Sequence, residues 1–258
     1  MTEGDLNSFT TLEQIVSRLR APDGCPWDRE QTHASIKPYL IEEAYEVLQA
    51  LDEENSAKLC EELGDLLLQI LLHAQMASEA GKFDIRDVVR GIATKLLRRH
   101  PHVFGDSGEA TDAETVAQEW EVLKQEERKP GDSLLGSVPR QMPALAFSQS
   151  IQRRAAGVGF DWKDSDGVLE KLAEEVEELK QADTHQEQVG EFGDILFTLV
   201  NIARWQGVDP EEALRLANDR FCQRFACMEE ACRKRGVALH QLSFEEQNVL
   251  WDEAKRLL

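Results

Sequence analysis

Residues 62–72 read Glu-Leu-Gly-Asp-Leu-Leu-Leu-Gln-Ile-Leu-Leu, so two acids open a segment that continues as an almost unbroken apolar run. A helix with this composition is apolar nearly all round, which is typical of the central member of a helical bundle. A second segment with a similar opening, Glu-Phe-Gly-Asp, begins at residue 191. The two segments predict two helical units.

The acids around these segments recur in a fixed order. Each copy has Glu-Glu-x-x-Glu, then Glu-x-Gly-Asp, then basic residues, then Trp-x-x-x-Lys. A tandem duplication is the simplest explanation, and we expect two domains, residues 1–134 and 135–258. The first copy comprises Glu42, Glu43, Glu46, Glu62, Asp65, Lys95, Arg99, Trp120 and Lys124, and the second Glu174, Glu175, Glu178, Glu191, Asp194, Arg220, Arg224, Trp251 and Lys255.

The apolar residues have helical spacing almost everywhere, and no stretch alternates as a strand would. The predicted fold class is therefore all-α, with two tandem domains that each resemble a four-helix bundle. In the first domain we predict helices around residues 12–19, 40–51, 60–77, 85–99 and 116–128. In the second we predict helices over residues 144–156, 165–182, 186–206, 210–235 and 243–257.

Composition narrows the class of protein. The 258 residues are 41% hydrophobic and 30% charged, as in a soluble globular protein, and the net charge of −20 argues against nucleic acid or an anionic membrane as a partner. Five cysteines without Cys-x-x-Cys spacing predict reduced thiols. The first ten residues do not resemble a signal peptide, and no window approaches the roughly 20 apolar residues of a membrane span. We therefore expect a cytoplasmic protein.

The acids of the second copy predict a metal site. Residues three or four apart share a helix face, so Glu175 and Glu178 project together, as do Glu191 and Asp194. If the two helices are antiparallel, the four carboxylates converge, and a hard divalent cation turns their repulsion into binding. All-oxygen ligation indicates Mg²⁺ or Mn²⁺ rather than zinc, and Glu174 can add an outer ligand or orient water. A second possible site has the equivalent acids Glu43, Glu46, Glu62 and Asp65.

Basic residues accompany the acids of the second copy. Arg220 and Arg224 lie four apart on a predicted helix, and Lys171 lies four residues before Glu175. Cations beside a metal-binding carboxylate cluster suit a polyphosphate, whose oxygens bridge metal and guanidinium. Trp251 has two interpretations, since its ring can stack on a base or fill the core.

These motifs resemble the MazG family of nucleoside triphosphate pyrophosphohydrolases, an all-α group that also includes dimeric dUTPases. The resemblance is carried by residues 40–46, 62–65 and 98–104 with their second-copy equivalents, and it covers nearly the whole chain. It implies Mg²⁺-dependent hydrolysis of a nucleoside triphosphate to the monophosphate and pyrophosphate. Because a half-bundle of this type commonly completes its core through a symmetric partner, we also expect a homodimer.

The resemblance assigns roles to individual residues. Glu175, Glu178, Glu191 and Asp194 would hold the metal, while Glu174 or Glu175 would orient or deprotonate the attacking water. The nucleotide would be contacted by Lys171, Glu187, Gln188, Val189, Gly190, Asn218, Arg220, Arg224, Trp251 and Lys255.

The resemblance also ranks the two copies. In the second copy Arg220 stands where the family has lysine, which keeps the charge but changes the geometry of the phosphate contact. In the first copy Ala93 stands where the second has Asn218, and the basic motif runs into Pro101. We therefore expect the C-terminal unit to be active and the N-terminal unit to support assembly.

Two other functions compete with a pyrophosphohydrolase. A carboxylate-bridged di-iron or di-manganese protein also places acids on facing helices, but it normally needs Glu-x-x-His motifs. Neither acidic motif here has a histidine three residues on. A non-enzymatic acidic scaffold would explain the charge and the amphipathic helices without any chemistry.

Overall fold

A computed structural model describes residues 5–105, 112, 116, 123, 131 and 133–258. All regular secondary structure in those residues is helical, which confirms the predicted all-α class. The chain divides into two compact units, Met1–Lys124 and Gln125–Leu258, and the boundary predicted after residue 134 stays a prediction. The helix predicted over residues 116–128, with Trp120 and Lys124, lies largely outside the described residues. Each helix in the described part of the chain is too short or too polar to span a bilayer.

The first unit is organised around one long helix. Leu71, Leu72, Ala74 and Met76 of that helix form the buried core with residues from its neighbours, Val16, Ile36 and Ile85. The central position predicted for the apolar segment is therefore found, because three other helices, Phe9–Arg20, Lys37–Asp52 and Ile85–Arg99, all pack against it. The helices of the described residues are α1 (Phe9–Arg20), α2 (Pro26–Glu30), α3 (Lys37–Asp52), α4 (Ser56–Glu79), α5 (Ile85–Arg99) and α6 (Pro101–Phe104).

Arg20 fastens the end of α1 to the end of α4. Its side chain is only 7% exposed, and its Nε and Nη2 donate to the two carboxylate oxygens of Glu79 at 2.9 and 2.8 Å. Its Nη1 donates to the backbone oxygens of Gln31, at 3.2 Å, and of Asp28. A two-pronged arginine–carboxylate pair is stronger than a single exposed ion pair. Arg20 therefore joins α1 to α4, and its bonds to the two backbone oxygens also hold the segment that leads into α3.

Capping explains where several helices begin. The Asn55 side chain accepts a hydrogen bond from the backbone N–H of Lys58 at 3.1 Å, so α4 starts at Ser56, ahead of the predicted start at Cys60. The short helices α2 and α6 lie in stretches for which the sequence predicted no helix. Each begins with a proline, Pro26 or Pro101, at a position that needs no donor N–H.

The second unit has five helices among its described residues. Their bounds match the predicted ones to within one residue. The middle helix, His185–Trp205, packs against the two helices before it. The last two helices, Pro210–Arg235 and Phe244–Leu257, pack together around a buried cluster of Met228, Cys232, Leu250 and Ala254. The helices are α7 (Ala144–Ala156), α8 (Ser165–Gln181), α9 (His185–Trp205), α10 (Pro210–Arg235) and α11 (Phe244–Leu257), with a 3-10 turn at Leu239–Gln241.

Two buried glutamines on α7 fix this helix against the rest of the second unit. The Nε2 of Gln149 donates to the backbone oxygen of Val208 at 2.9 Å, and the Nε2 of Gln152 donates to that of Phe197 at 2.8 Å. The second bond is made to a carbonyl within α9, one turn beyond Asp194. The position of α7 beside the acidic helices therefore depends on a specific hydrogen bond as well as on apolar packing.

Two histidine rings stack in the first unit. His33 precedes α3 and His73 lies on α4, with their Nδ1 atoms 2.8 Å apart and their ring centres 5.1 Å apart. One ring must donate and the other accept, so protonation of both rings removes the acceptor. Burial lowers the pKa of His73 below its ordinary value, and the His33 charge lowers it further.

Acidification is expected to destabilise the first unit through this pair. Because the pKa of His73 is lower in the folded state, the folded protein binds fewer protons, and stability is lost as pH falls below about 6.5. Replacing His73 by glutamine removes that titration. Between pH 7.5 and 5.5 the unfolding temperature of the wild type should fall roughly 2–4 °C more than that of His73→Gln, as calorimetry would measure. Equal falls in the two proteins would contradict this account.

Candidate functional site

Three carboxylates of the second unit converge where α8 and α9 lie side by side. Glu175 and Glu178 belong to successive turns of α8, and Glu191 belongs to the first half of α9. One oxygen from each of the three lies within 4.8 Å of the others. We call this set the carboxylate site. The convergence predicted from the spacing of the acids is thus present for three of the four residues.

Asp194, the fourth predicted ligand, lies beside this group. It follows Glu191 by one turn of α9 and lines a cavity together with Lys171 and Glu175. The set of mutually close oxygens does not include it. Its role as a metal ligand stays a prediction, but its placement leaves it next to the carboxylate site.

The chemistry of the carboxylate site fits a hard divalent cation. Glu175 is 5% exposed, an unusual position for a carboxylate. Burial raises the pKa of Glu178 above its ordinary value, and the charges of Glu175 and Glu191 raise it further, whereas Lys171 opposes them. Like charges at this spacing repel, and an oxygen-binding cation such as Mg²⁺ or Mn²⁺ relieves the repulsion.

Lys171 supplies positive charge from within α8. Its Nζ lies 2.8 Å from an oxygen of Glu174 and 2.8 Å from an oxygen of Glu175. The hydrogen bonds to Glu174 and then to Glu175 raise the pKa of Lys171, so the lysine stays charged. The buried carboxylate is therefore partly compensated by a residue one turn earlier. The predicted contact of Lys171 with a nucleotide stays a prediction.

Glu174 has a different environment from its neighbour. Its side chain is 57% exposed, and it pairs with Lys171 rather than joining the three converging carboxylates. This position leaves its second oxygen free to face water. Its predicted role in orienting the attacking water remains a prediction that this geometry supports.

The predicted cationic residues form a second cluster on α10 and α11. The guanidinium of Arg224 lies 5.9 Å from the centre of the Trp251 ring, and the Lys255 Nζ lies 6.0 Å from it. The ring also packs against Phe221 and against the buried α10–α11 core. Trp251 is thus both a core residue and a platform for cations. Asn218 and Arg220 are exposed on α10.

The cationic cluster and the carboxylate site are separate in the described contacts. Across residues 133–258 no ion pair joins Arg220 or Arg224 to Glu175, Glu178 or Glu191. The Nε of Arg224 is buried and has no hydrogen-bond partner among the described residues. The expected placement of these cations beside the acids, and their contact with phosphate, stay predictions.

The segment 187–190 has a structural role at the start of α9. The Glu187 carboxylate accepts hydrogen bonds from the backbone N–H groups of Thr184, at 2.9 Å, and Asp183, at 3.1 Å, and completes a capping box. These bonds, chiefly that from Thr184, lower the pKa of Glu187. Gln188 and Val189 line a shallow cavity, and Gly190 is exposed. The predicted nucleotide contact of this segment remains a prediction.

The first unit repeats the three carboxylates without the lysine. Oxygens of Glu43, Glu46 and Glu62 lie within 4.8 Å of one another. Burial raises the pKa of Glu43, and the charges of Asp65 and Glu46 raise it further. At the position four residues before the first acid, where the second unit has Lys171, the first has Tyr39. This difference is visible in the sequence alone.

The sequence reasoning missed a cavity of about 620 Å³ beside the carboxylate site. We call it the α7–α9 cavity. It shares Lys171, Glu175 and Asp194 with the acidic region. The rest of its wall includes Gln152, Phe160, Trp162, Phe197, Asn201 and Arg204. The sequence feature that could have indicated this cavity is the presence of three aromatic residues, Phe160, Trp162 and Phe197, near the acidic motifs.

Comparison with known proteins gives matches to both units. Residues 31–104 match the family described as MazG nucleotide pyrophosphohydrolase domain, and residues 145–221 match the one described as phosphoribosyl-ATP pyrophosphohydrolase. The chain is 49% identical over 248 residues to the nucleoside triphosphate pyrophosphohydrolase/pyrophosphatase MazG of Thermotoga maritima, covering 96% of this chain and 95% of that protein. It is 44% identical over 259 residues to the nucleoside triphosphate pyrophosphohydrolase of Escherichia coli K12, covering 97% and 98%.

Glu178→Gln tests the carboxylate site directly. Loss of one converging charge should weaken Mn²⁺ binding to the second unit by roughly 10-fold or more, measured by electron paramagnetic resonance of free Mn²⁺. The titration is made in Glu43→Gln protein, so that the first unit contributes less to the signal. The matched control is Glu177→Gln, because Glu177 is an exposed neighbour that pairs with Lys180 at 3.0 Å. Equal Mn²⁺ affinity in the Glu178 and Glu177 variants would remove Glu178 from the site.

Proposed function

The chain belongs to the MazG family of nucleotide pyrophosphohydrolases, and we propose that its second unit hydrolyses nucleoside triphosphates to the monophosphate and pyrophosphate at the carboxylate site. The observation that carries the proposal is the group formed by Glu175, Glu178 and Glu191 around a 5% exposed carboxylate. Such a group binds a cation that a triphosphate also binds.

Glu175, Glu178 and Glu191, with Asp194 beside them, would hold Mg²⁺, or Mn²⁺ in its place. When bound, it would supply positive charge to the phosphoryl oxygens. Lys171 lies close enough to Glu175 to add a second positive charge at the same edge of the site. Its ammonium group would be available to contact a phosphate oxygen there.

The hydrolytic step needs a group that positions water. Glu174 is the better candidate because it is exposed and lies outside the converging carboxylates. A bond forms between the water oxygen and a phosphorus, and the bond from that phosphorus to the oxygen bridging the α- and β-phosphates breaks. The proton of the water passes to the carboxylate.

The second unit is the proposed working unit. It has Lys171 where the first has Tyr39, and Asn218 where the first has Ala93. The first unit retains three converging acids, so it can hold a cation, but it lacks the lysine that faces them. We propose that it serves assembly.

Glu175→Ala should abolish most of the activity. Loss of the buried carboxylate removes both a metal ligand and the partner of Lys171, and we expect kcat/KM to fall by roughly 10²–10⁴-fold. Pyrophosphate release from a nucleoside triphosphate with Mg²⁺ is the measurement. Glu43→Ala, the equivalent change in the first unit, should leave kcat/KM within about 2- to 3-fold of the wild type. Full activity of Glu175→Ala would sink the assignment of the second unit.

The substrate panel should include phosphoribosyl-ATP. The match of residues 145–221 to the phosphoribosyl-ATP pyrophosphohydrolase family favours it as a second candidate substrate. The same α–β phosphate bond is cut in either case. Release of no pyrophosphate from any of these compounds would favour the acidic scaffold instead.

A homodimer accounts for apolar side chains that the unit leaves exposed. Val189, Phe192, Leu196 and Leu199 recur at helical spacing along α9 and are 41–59% exposed. A continuous apolar face of this kind is typical of an interface, and identical chains most often pair by two-fold symmetry. We further propose a cytoplasmic location and no nucleic-acid partner, because a net charge of −20 repels polyanions.

Charges placed on this face should separate the proposed dimer. Leu199→Glu puts a carboxylate into this face, and it is combined with Ile70→Glu because Ile70 is the equivalent position on α4 of the first unit and is 41% exposed. Light scattering should give at least twice the 29.2 kDa chain mass for the wild type, and one chain mass for the double variant at micromolar concentration. Val249→Glu, an exposed apolar position on α11, is the control and should leave the mass unchanged. A wild-type mass of one chain would refute the dimer.

A further inference from the structure

The α7–α9 cavity opens beside the carboxylate site. Lys171, Glu175 and Asp194 belong to the wall of the cavity, and Glu175 is also one of the three converging acids. A ligand whose phosphates lie at the carboxylates therefore has about 620 Å³ of adjoining space for the rest of the molecule. That volume is within the range of small-molecule sites.

Three aromatic side chains belong to this wall, and Phe160 among them is 82% exposed. Phe160 and Trp162 come from the segment before α8, and Phe197 comes from α9. Planar rings offer faces on which another planar ring can stack. The Trp162 ring lies against Gly167 in the first turn of α8, where a Cβ would come within 3.1 Å of it.

A polar network holds Asn201 in one orientation. Arg204 donates to the Oδ1 of Asn201 from Nε at 3.1 Å and from Nη2 at 2.7 Å. Arg204 is itself anchored by Asp161, whose Oδ2 accepts from Nη1 at 2.9 Å. Because the oxygen of Asn201 is occupied, its Nδ2 is the group left to donate to a ligand.

Gln152 leaves an acceptor without a partner. Its side chain is 6% exposed, and the bond from its Nε2 to the Phe197 carbonyl fixes which end of the amide faces away. Its Oε1 is buried and has no hydrogen-bond partner among the described residues. Buried acceptors are rarely left unpaired, so this atom indicates a ligand that brings a donor.

We propose that the α7–α9 cavity binds the nucleobase, and that Gln152 Oε1 accepts a hydrogen bond from an N–H of the base while Asn201 Nδ2 donates to a neighbouring ring nitrogen or carbonyl. This inference rests on the proposed function, since the phosphates are placed at the carboxylate site. It assigns the base to Phe160 and Trp162. The Trp251 ring is already flanked by Phe221, Arg224 and Lys255.

The experiment measures binding rather than turnover. The probes are two mononucleotides, each paired with an analogue that lacks the N–H donor: AMP with purine riboside monophosphate, and UMP with N3-methyl-UMP. Calorimetry on the wild type with Mg²⁺ should show at least one pair in which the analogue binds roughly 10-fold or more weakly. In Gln152→Met, that difference should disappear, because the acceptor is gone.

Gln149→Met is the matched control. Gln149 is also buried on α7 and also donates its Nε2 to a backbone carbonyl, at 2.9 Å, but it does not line the cavity. Gln149→Met should keep the wild-type difference in affinity between each mononucleotide and its analogue. That result would show that the loss in Gln152→Met comes from the missing acceptor and not from a general loosening of α7. Discrimination that persists in Gln152→Met, no discrimination by the wild type for either pair, or no binding of AMP and UMP at all would overturn the proposal.

Hydrolysis measured in parallel keeps the two hypotheses apart. Selective binding without pyrophosphate release from any triphosphate would refute the proposed function but retain the base cavity. Pyrophosphate release with unchanged discrimination in Gln152→Met would retain the function and refute the role of Gln152.

Discussion

The second unit depends on keeping one carboxylate buried. Glu175 is 5% exposed and lies within 4.8 Å of two other acids, an arrangement that is unfavourable unless positive charge is close. Lys171 provides that charge from the preceding turn of the same helix, at 2.8 Å. The capping box at the start of α9 and the hydrogen bond from Gln152 to the Phe197 carbonyl matter because they help to hold α9, and with it Glu191, in place.

The two units show what changes when that charge is altered. Both bring three acids together, but the first has Tyr39 in place of Lys171. In the first unit, burial and the neighbouring carboxylates raise the pKa of Glu43. In the second, burial and the neighbouring carboxylates also raise the pKa of Glu178, but Lys171 opposes that rise. A carboxylate that gains a proton more readily is a weaker metal ligand at a given pH. This difference in one side chain supports the proposed division between a catalytic second unit and a first unit that serves assembly.

Sequence reasoning predicted the helices well because apolar spacing and proline positions are local signals. It missed α2 and α6, whose single turns are too short to show a period, and it placed the start of α4 late because the Asn55 cap was overlooked. It predicted the meeting of Glu175, Glu178 and Glu191 because helix periodicity fixes which acids share a face. It did not predict the cavity, since the wall of the cavity joins residues from α7, α9 and the segment before α8 that only the packed unit brings together.

Glu187 has a structural role that the motif does not reveal. The resemblance predicts that it contacts a nucleotide, and its carboxylate also closes the start of α9 by accepting backbone hydrogen bonds. Gln152 illustrates the converse, because nothing in its local sequence distinguishes it from Gln149, and the unpaired Oε1 exists only once α7 has packed on α9. In the proposed arrangement the phosphates lie at the carboxylate site and the base lies at Gln152, and the wall of the α7–α9 cavity connects the two. The cations around Trp251 then lie outside the base site, and the phosphate chain is the part of the substrate that suits their charge.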